Sequence, residues 1–322
     1  MTSQPELTIV VPAFNEEQSV EPMWQRLSAA LEGVVAGFEV VFVDDGSGDG
    51  TWSAVERLAA VDPRVRGLRF ARNFGHQSAV TAGIDHARGR AVVIIDADLQ
   101  DPPEVIPEMV ARWREGHDVV YGQRNEREGE TWFKKATAAL FYRMLRSITS
   151  VDIPVDTGDF RLMGPRAIEA FRALPERNRF IRGLVSWIGF RQTAVVYRRS
   201  RRHAGQTKYP LRKMLRFALD GITSFSFLPL RLATVLGFVV SVLAFVYIVV
   251  VIVLKAVGVS WSGYTSLMAS ILFLGGVQLL MIGLLGEYLA RVFDEVKRRP
   301  LYLIGGSTEG DTPVVPPRRG VD

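Results

Sequence analysis

Ala91-Val92-Val93-Ile94-Ile95 runs directly into Asp96-Ala97-Asp98-Leu99-Gln100. Five apolar, mostly β-branched residues in a row do not alternate between core and water. Such a run reads as a strand covered on both faces, the habit of a parallel sheet. Asp96 and Asp98, two residues apart, leave a strand on the same side. At the carboxyl end of a parallel strand they face the crevice where α/β sheets bind ligands. Two carboxylates there suit a hard divalent cation, Mg2+ or Mn2+, shared with a diphosphate. A D-x-D alone is a weak signal, and its place after a buried strand makes it a strong one.

The same grammar extends on both sides. Leu7–Val11 (LTIVV), Glu39–Val43 (EVVFV) and Arg66–Phe70 are further strands of this kind. Helical spacing over Glu17–Leu31, Thr51–Val61 and Gln77–Ala87 separates them. Alternating strands and helices with short connections predict a doubly wound, mostly parallel α/β domain. Asp44-Asp45-Gly46-Ser47 occupies after the second strand the position that Asp96 and Asp98 hold after theirs. A carboxylate there can accept a hydrogen bond from a base imide or a ribose hydroxyl; the bland alternative is that Asp45 or Ser47 caps the next helix. Pro12-Ala13-Phe14-Asn15-Glu16 closes the first strand as another wall of the crevice, with Pro12, Phe14 and Glu16 as candidate contacts. His76, in Asn73-Phe74-Gly75-His76-Gln77, is either a crevice residue or a structural histidine.

The exclusions narrow the chemistry. The chain of 322 residues contains no cysteine, so disulfides and thiolate metal sites are ruled out. No Walker loop and no dinucleotide G-x-G-x-x-G follows any strand, which removes the phosphate cradle of an ATPase or a dehydrogenase. No HExxH is present. The net charge of +5 favours anionic partners without choosing among them. Met1–Glu6 is polar and the following apolar run is short, so no cleaved leader is expected.

Composition changes after Phe227. Leu232–Leu254 carries no charge, and Leu267–Gly286 has Gln278 as its one strongly polar side chain; both are long enough to cross a bilayer. Arg212, Lys213, Arg216 and Arg231 precede the first span, and Arg291, Lys297, Arg298 and Arg299 follow the second. The positive-inside rule then puts both termini in the cytoplasm. Tyr209–Phe227 shows the spacing of an amphipathic helix lying in the membrane interface. Gly305–Asp322, rich in Gly, Pro, Ser and Thr, reads as disordered. The expected organisation is a catalytic domain over 1–208, a juxtamembrane helix over 209–230, a two-helix transmembrane region over 231–292 and a partly disordered cytoplasmic tail over 293–322.

The set VPAFNEE, VDDGSGDGT, RNFGHQSAVTAG and DADLQDPPE resembles the family 2 inverting glycosyltransferases. Within them the chain is similar to the polyprenyl-phosphate (dolichol-phosphate mannose synthase-like) branch with two C-terminal membrane helices. The likeness runs from about Leu7 to Arg299, with the motifs in the family's order. It implies a GT-A fold, nucleotide contacts from Asp44 and Asp45, and metal and donor diphosphate held by Asp96, Asp98 and Gln100. Arg124 and Arg127 in GQRNER, and Asp159 and Arg161 in GDFRL, match further active-site segments of the family. Arg202-His203-Ala204-Gly205-Gln206-Thr207-Lys208-Tyr209 matches its basic loop, with Gln206-Thr207 where the family usually has Glu-Ser.

The implied reaction moves one sugar, with inversion, from a nucleotide sugar to a membrane polyprenyl phosphate, for later use in cell-envelope glycosylation. UDP-glucose is the first expectation for the donor and GDP-mannose the alternative. A phosphate monoester, with a second pKa of roughly 6, is already a nucleophile near neutral pH. A strong base is then not required, and Asp159 is either that base, an orienting group, or a structural partner of Arg161. Arg161, Arg202, Thr207 and Lys208 are the expected contacts of the acceptor phosphate. A homo-oligomer is permitted. The Gln-x-x-Arg-Trp motif of processive synthases is absent, which favours single transfer. A non-catalytic scaffold would have a degraded acidic motif, whereas Asp96, Asp98 and Gln100 are intact. Nucleic-acid binding through Arg198–Arg216 gives way to a lipid surface, because the spans follow at once.

Overall fold

The computed structural model describes residues 4–125, 157–177, 179–198, 228–258, 263–310 and 314–316. The chain divides into two compact units, one α/β and one made of two long helices.

The α/β unit begins with β1 (Leu7–Ala13), α1 (Glu17–Leu31), β2 (Phe38–Asp44), α2 (Thr51–Val61), β3 (Val65–Phe70), α3 (His76–His86) and β4 (Ala91–Ile94). It continues with α4 (Ile106–Arg114), β5 (Val119–Arg124), β6 (Thr157–Met163), α5 (Pro165–Ala173), α6 (Ile181–Ile188) and β7 (Gln192–Tyr197). After the long helices the chain returns as β8 (Ile304–Ser307). One sheet of eight strands results, in the order β7-β5-β6-β4-β1-β2-β3-β8. The central run β4-β1-β2-β3 is parallel, as the apolar runs predict. Every residue of β1, β2 and β4 is buried.

The two faces separate with the period of two that strands impose. Ile9, Val11, Val40 and Phe42 join a core with Met23, Leu27 and Leu31 of α1 and with Met109 of α4. Val41, Val43, Leu68 and Phe70 pack on the other face with Ala79 and Ala82 of α3. Gly83 lets α3 lie close on β1, because a Cβ there would come within 2.1 Å of Val10 Cγ1.

β6 departs from the doubly wound pattern. It enters between β4 and β5 and runs antiparallel to both. β4 pairs Val92 with Met163, Val93 with Leu162 and Ile94 with Arg161. Asp96 follows β4 by two residues, and Asp159 lies two residues before Arg161 on β6.

β8 is a correction to the disorder expected from Gly305 onward. It pairs antiparallel with β3, matching Leu68 with Ser307 and Arg69 with Gly306. Thr308 N donates to Gly67 O at 3.1 Å, and Gly67 N returns a bond to Thr308 Oγ1 at 2.9 Å. Glycine content misleads here. Gly305 permits a close approach, since a Cβ on it would lie 3.0 Å from Ala71 Cα, while Tyr302 and Ile304 supply the buried apolar surface. Glu309 accepts from Arg88 at 2.8 Å and pairs with Arg66 at 2.8 Å. Arg66 also donates to buried Glu39, so the tail completes an ion network under the sheet. The α/β domain is therefore not confined to 1–208.

The second unit holds α7 (Leu228–Ala256) and α8 (Tyr264–Lys297). Within them, Ala233–Leu254 and Phe273–Lys297 are long and apolar enough to cross a membrane, and neither is buried in the protein. Apolar helices of a soluble core would be covered, so these need another apolar environment. Of the juxtamembrane helix expected over 209–230, residues 209–227 lie outside the described residues, and Leu228–Leu230 belong to α7.

Candidate active site

β6 is antiparallel to both β4 and β5, so β5 runs with the central strands; β7 is parallel to β5. One edge of the sheet thus collects the ends of β1, β2, β4, β5 and β7 and the beginning of β6. Ala13, Asp44, Asp96, Arg124, Tyr197 and Asp159 meet there from distant parts of the sequence, at the edge where α/β sheets bind ligands.

The first wall is knitted by polar contacts between loops. Asn15, with φ of 55°, donates its N–H to Ser47 Oγ at 2.9 Å and accepts from Gly48 N at 3.0 Å. Glu16 N donates to Thr51 Oγ1 at 2.9 Å, and the Glu16 carboxylate accepts from Ser19 Oγ at 2.8 Å. Phe14 stands exposed beside them and Pro12 is buried in β1. Asp44 Oδ1 accepts from Ser47 N at 2.9 Å, and Arg69 Nε approaches its other oxygen at 3.5 Å. Asp45 accepts from Phe74 N at 2.7 Å and from Gly75 N at 3.0 Å. It anchors the loop that enters α3, and burial raises its carboxyl above the ordinary range against the pull of those amides. Neither Asp45 nor Ser47 caps α2; Asp49 Oδ1 takes Thr51 N at 3.0 Å. Gly46 has φ of +71°, and a Cβ on it would meet Arg72 C at 2.6 Å, so the turn fits tightly against the Arg72–Gly75 loop.

The second wall is acidic and centred on His76. His76 Nε2 lies 3.1 Å from Asp159 Oδ2 and 3.6 Å from Asp96 Oδ1. Gln77 Nε2 donates to Asp159 Oδ2 at 3.4 Å, and Arg182 Nε donates to Asp159 Oδ1 at 2.8 Å. Burial pushes the Asp159 carboxyl up, but the His76 bond and the charges of Arg182 and His76 outweigh it and hold the group far below the usual range. Burial pulls His76 down, and the bond to Asp159 with the charge of Asp96 overcomes this, raising it to about 9. Asp96 is raised to about 6, first by burial, with Asp159, Asp101 and Asp98 adding repulsion against the opposing pull of His76.

Asp96 Oδ1 is buried without a hydrogen-bond donor, and Asp98 Oδ1 accepts from Gln100 N at 3.1 Å across a turn whose Leu99 has φ of 58°. An orphaned carboxylate oxygen beside a second carboxylate fits a hard divalent cation. Among the described residues no group of three or more acidic or histidine side chains is placed to hold a metal ion.

On the far side, Arg124 Nε donates to Tyr197 Oη at 3.3 Å, and Arg124 Nη2 lies 3.7 Å from Asp101 Oδ1. Tyr197 Oη donates to fully buried Asp101. Arg161 is buried and donates to the backbone oxygens of Gly158 at 2.9 Å and Asp159 at 3.3 Å; burial lowers it to about 10, which leaves it charged near neutrality. Arg161 meets Asp159 through its backbone oxygen and the charge of its carboxylate, while the side-chain bond to that carboxylate comes from Arg182. Arg127, Arg202, Thr207 and Lys208 lie outside the described residues.

Arg182, Gln77, Tyr197 and Asp101 join this cluster without being expected as contacts, Gln77 and Asp101 from within the quoted motifs and Arg182 and Tyr197 from outside them. Asp101 follows Gln100 directly, which was a usable hint. Arg182 sits in no motif and is brought in only by the packing of α6.

The chain belongs to glycosyl transferase family 2, whose model matches residues 8–171. Residues 228–292 match a second family, the GtrB C-terminal hairpin. It is thus a glycosyltransferase with a GT-A α/β domain and a C-terminal helical hairpin. It is 49% identical over 305 residues, 94% of each chain, to YkcC, an uncharacterised glycosyltransferase of Bacillus subtilis (strain 168). It is 44% identical over 306 residues, 95% of this chain and 99% of the relative, to the SfII prophage-derived bactoprenol glucosyl transferase of Shigella flexneri. Among solved structures, glucosyl-3-phosphoglycerate synthase from Mycobacterium tuberculosis with Mn2+, UDP and phosphoglyceric acid overlays with a TM-score of 0.47 at 20% identity, covering 68% of this chain and 76% of that one.

Proposed function

We propose that the protein transfers one glucose from UDP-glucose to a polyprenyl phosphate in the membrane, with inversion at the anomeric carbon. The observation that carries this reading is the similarity, along nearly the whole chain and through the helical hairpin, to bactoprenol glucosyl transferases. A relative sharing the catalytic domain alone would speak only to the donor.

The site chemistry supports it. Pro12, Phe14, Glu16, Asp44, Asp45 and Arg127 are assigned to the nucleotide sugar, with Asp44 and Asp45 at the end of β2 also shaping the crevice. Asp96, Asp98 and Gln100 face the donor diphosphate. Asp96 and Asp98 would hold a divalent cation, Mg2+ or Mn2+, which would supply positive charge to the leaving diphosphate. Arg124, held in place by Tyr197 and Asp101, adds a fixed cation on the same edge. The acceptor phosphate is its own nucleophile, so Asp159 need not take a proton. Bound by His76, Gln77 and Arg182, Asp159 is a fixed anion that holds two cationic side chains at the crevice. Arg161, Arg202, Thr207 and Lys208 are assigned to the lipid phosphate, with Arg161 held on backbone carbonyls as a fixed positive charge.

The strand after the hairpin supports a hairpin topology. β8, after the two long helices in sequence, is part of the same sheet as β1, before them. Basic residues flanking both helices put the α/β domain and both termini in the cytoplasm. A single cysteine introduced at Ser260 in this cysteine-free chain is expected to label from outside the cell, and one at Val315 only after permeabilisation. Labelling of both from one side would remove the hairpin.

The test of the reaction is purified protein with polyprenyl phosphate and a panel of radiolabelled nucleotide sugars, scored for label in the organic phase. UDP-glucose is expected to label the lipid. Label from GDP-mannose instead would replace the donor, and no lipid label from any sugar would overturn the reading.

A further inference from the structure

Tyr302 follows the second long helix by five residues, yet it is fully buried in the α/β domain. Its ring stacks on Phe70, with centroids 5.1 Å apart and planes at 15°. Phe70 in turn meets Phe74 edge-on at 5.6 Å and 87°. Phe74 belongs to the loop whose amides bind Asp45: Phe74 N donates to Asp45 Oδ1 at 2.7 Å, and Gly75 N follows at 3.0 Å. At the other end of α3, Tyr302 Oη donates to Asp85 Oδ2 at 3.0 Å, and the ring lies edge-on to His86 at 6.4 Å. One side chain thus braces both ends of the helix that brings His76 and Gln77 to Asp159. On the carboxyl side of Tyr302, Leu303 O accepts from Ala71 N at 2.9 Å, which fixes the start of the same loop.

We infer that Tyr302 is a positioning residue for the nucleotide crevice, acting through the ring stack on Phe70 and Phe74 to hold the loop that binds Asp45. The segment behind the helical hairpin is then part of the donor site's support. Nothing in the motifs requires this. The crevice motifs all precede Phe227, whereas the brace comes from the chain's return after the hairpin. The stack carries no charge and touches no substrate, so its effect is expected on donor affinity and not on the chemical step. This role rests on reading the crevice as the donor site.

The experiment measures the dissociation constant of UDP, with Mg2+, on the full chain in detergent, together with KM for each substrate, kcat and melting temperature. Tyr302→Ala is expected to weaken UDP about threefold to tenfold, the loss of one to two aromatic contacts. KM for the nucleotide sugar should rise in step, while KM for the lipid and kcat stay within about twofold of wild type, because the acceptor and the chemical step do not rely on the stack. Tyr302→Phe keeps the rings and should recover most of the affinity. Phe74→Leu should weaken UDP as well, and its effect should largely disappear when Tyr302→Ala is already present, since both break one chain of contacts. Should Tyr302→Ala not accumulate, Tyr302→Leu is read by the same criteria. Wild-type UDP affinity at a lowered melting temperature would overturn the inference, as would equal losses in Tyr302→Phe and Tyr302→Ala. A wild-type protein that binds GDP and not UDP contradicts the donor assignment alone, and the Tyr302 series is then read with GDP.

Discussion

His76 Nε2 lies 3.1 Å from Asp159 Oδ2 and 3.6 Å from Asp96 Oδ1, so one imidazole stands between two carboxylates that the sequence separates by 63 positions. The arrangement makes Asp159 a neutralised, well-bonded anion. A general base needs a free lone pair and a pKa near the working pH. Asp159 has donors on both oxygens and a pKa far below that range.

Asp159→Asn should therefore act on structure as much as on rate. It leaves Arg182 and His76 without their shared anion. Losing one partner of a buried ion pair costs about 3–5 kcal/mol, and the part-exposure of His76 and Arg182 reduces this to about 2 kcal/mol. Thermal unfolding should show the drop alongside a fall in transfer. Lost activity at an unchanged melting temperature would return the base role to Asp159.

The pH dependence has a definite sign. His76 is raised from an ordinary value near 6.5 to about 9, so its contribution to stability is fully present below about pH 6.5 and is lost as pH rises through about 9. In chelator, the stability difference between wild type and His76→Gln should shrink across that window, as read by urea unfolding at a series of pH values. A difference that is flat from pH 6 to 10 would mean His76 is neutral throughout.

Asp98→Asn probes the acidic pair. An amide keeps an oxygen to accept from Gln100 N, so the turn should persist and the melting temperature change little. A neutral amide is a poorer ligand for a hard cation, and transfer should fall about 100-fold or more. EDTA should abolish wild-type activity, with Mg2+ or Mn2+ restoring it. Full activity in chelator would exclude a metal-dependent transfer.

The basic stretch before the hairpin divides on kinetics. Arg202→Ala and Lys208→Ala should lose transfer to the lipid far beyond any change in vesicle binding, with UDP affinity unaltered, because a forked guanidinium and an ammonium suit phosphate oxygens. Arg212→Ala should lose only the roughly 1 kcal/mol of a single headgroup contact. Equal behaviour in all three would make the stretch an anchor and remove Arg202 and Lys208 from the acceptor site.

The central strands were legible in the sequence because burial on both faces leaves a continuous apolar run. Leu7–Ala13, Phe38–Asp44 and Ala91–Ile94 fall within two residues of the expected bounds. The placement of Asp96 and Asp98 just past the carboxyl end of β4 was legible for the same reason. β6 was not, because nothing in Thr157–Met163 says that it runs antiparallel between β4 and β5; that register is a property of the sheet. Arg182 was hidden likewise, its partner being 23 residues away on another element. β8 was misjudged because glycine-rich composition describes chain entropy, whereas Tyr302 and Ile304 supply the burial that overcomes it.

The most direct test is the mass and anomeric configuration of the lipid made from UDP-glucose and polyprenyl phosphate by the purified full chain. One added hexose per lipid, in the configuration opposite to that in the donor, is the predicted product. A lipid bearing two or more hexoses, retention of the donor's configuration, or UDP release with no glycolipid at all would contradict single inverting transfer to a lipid phosphate.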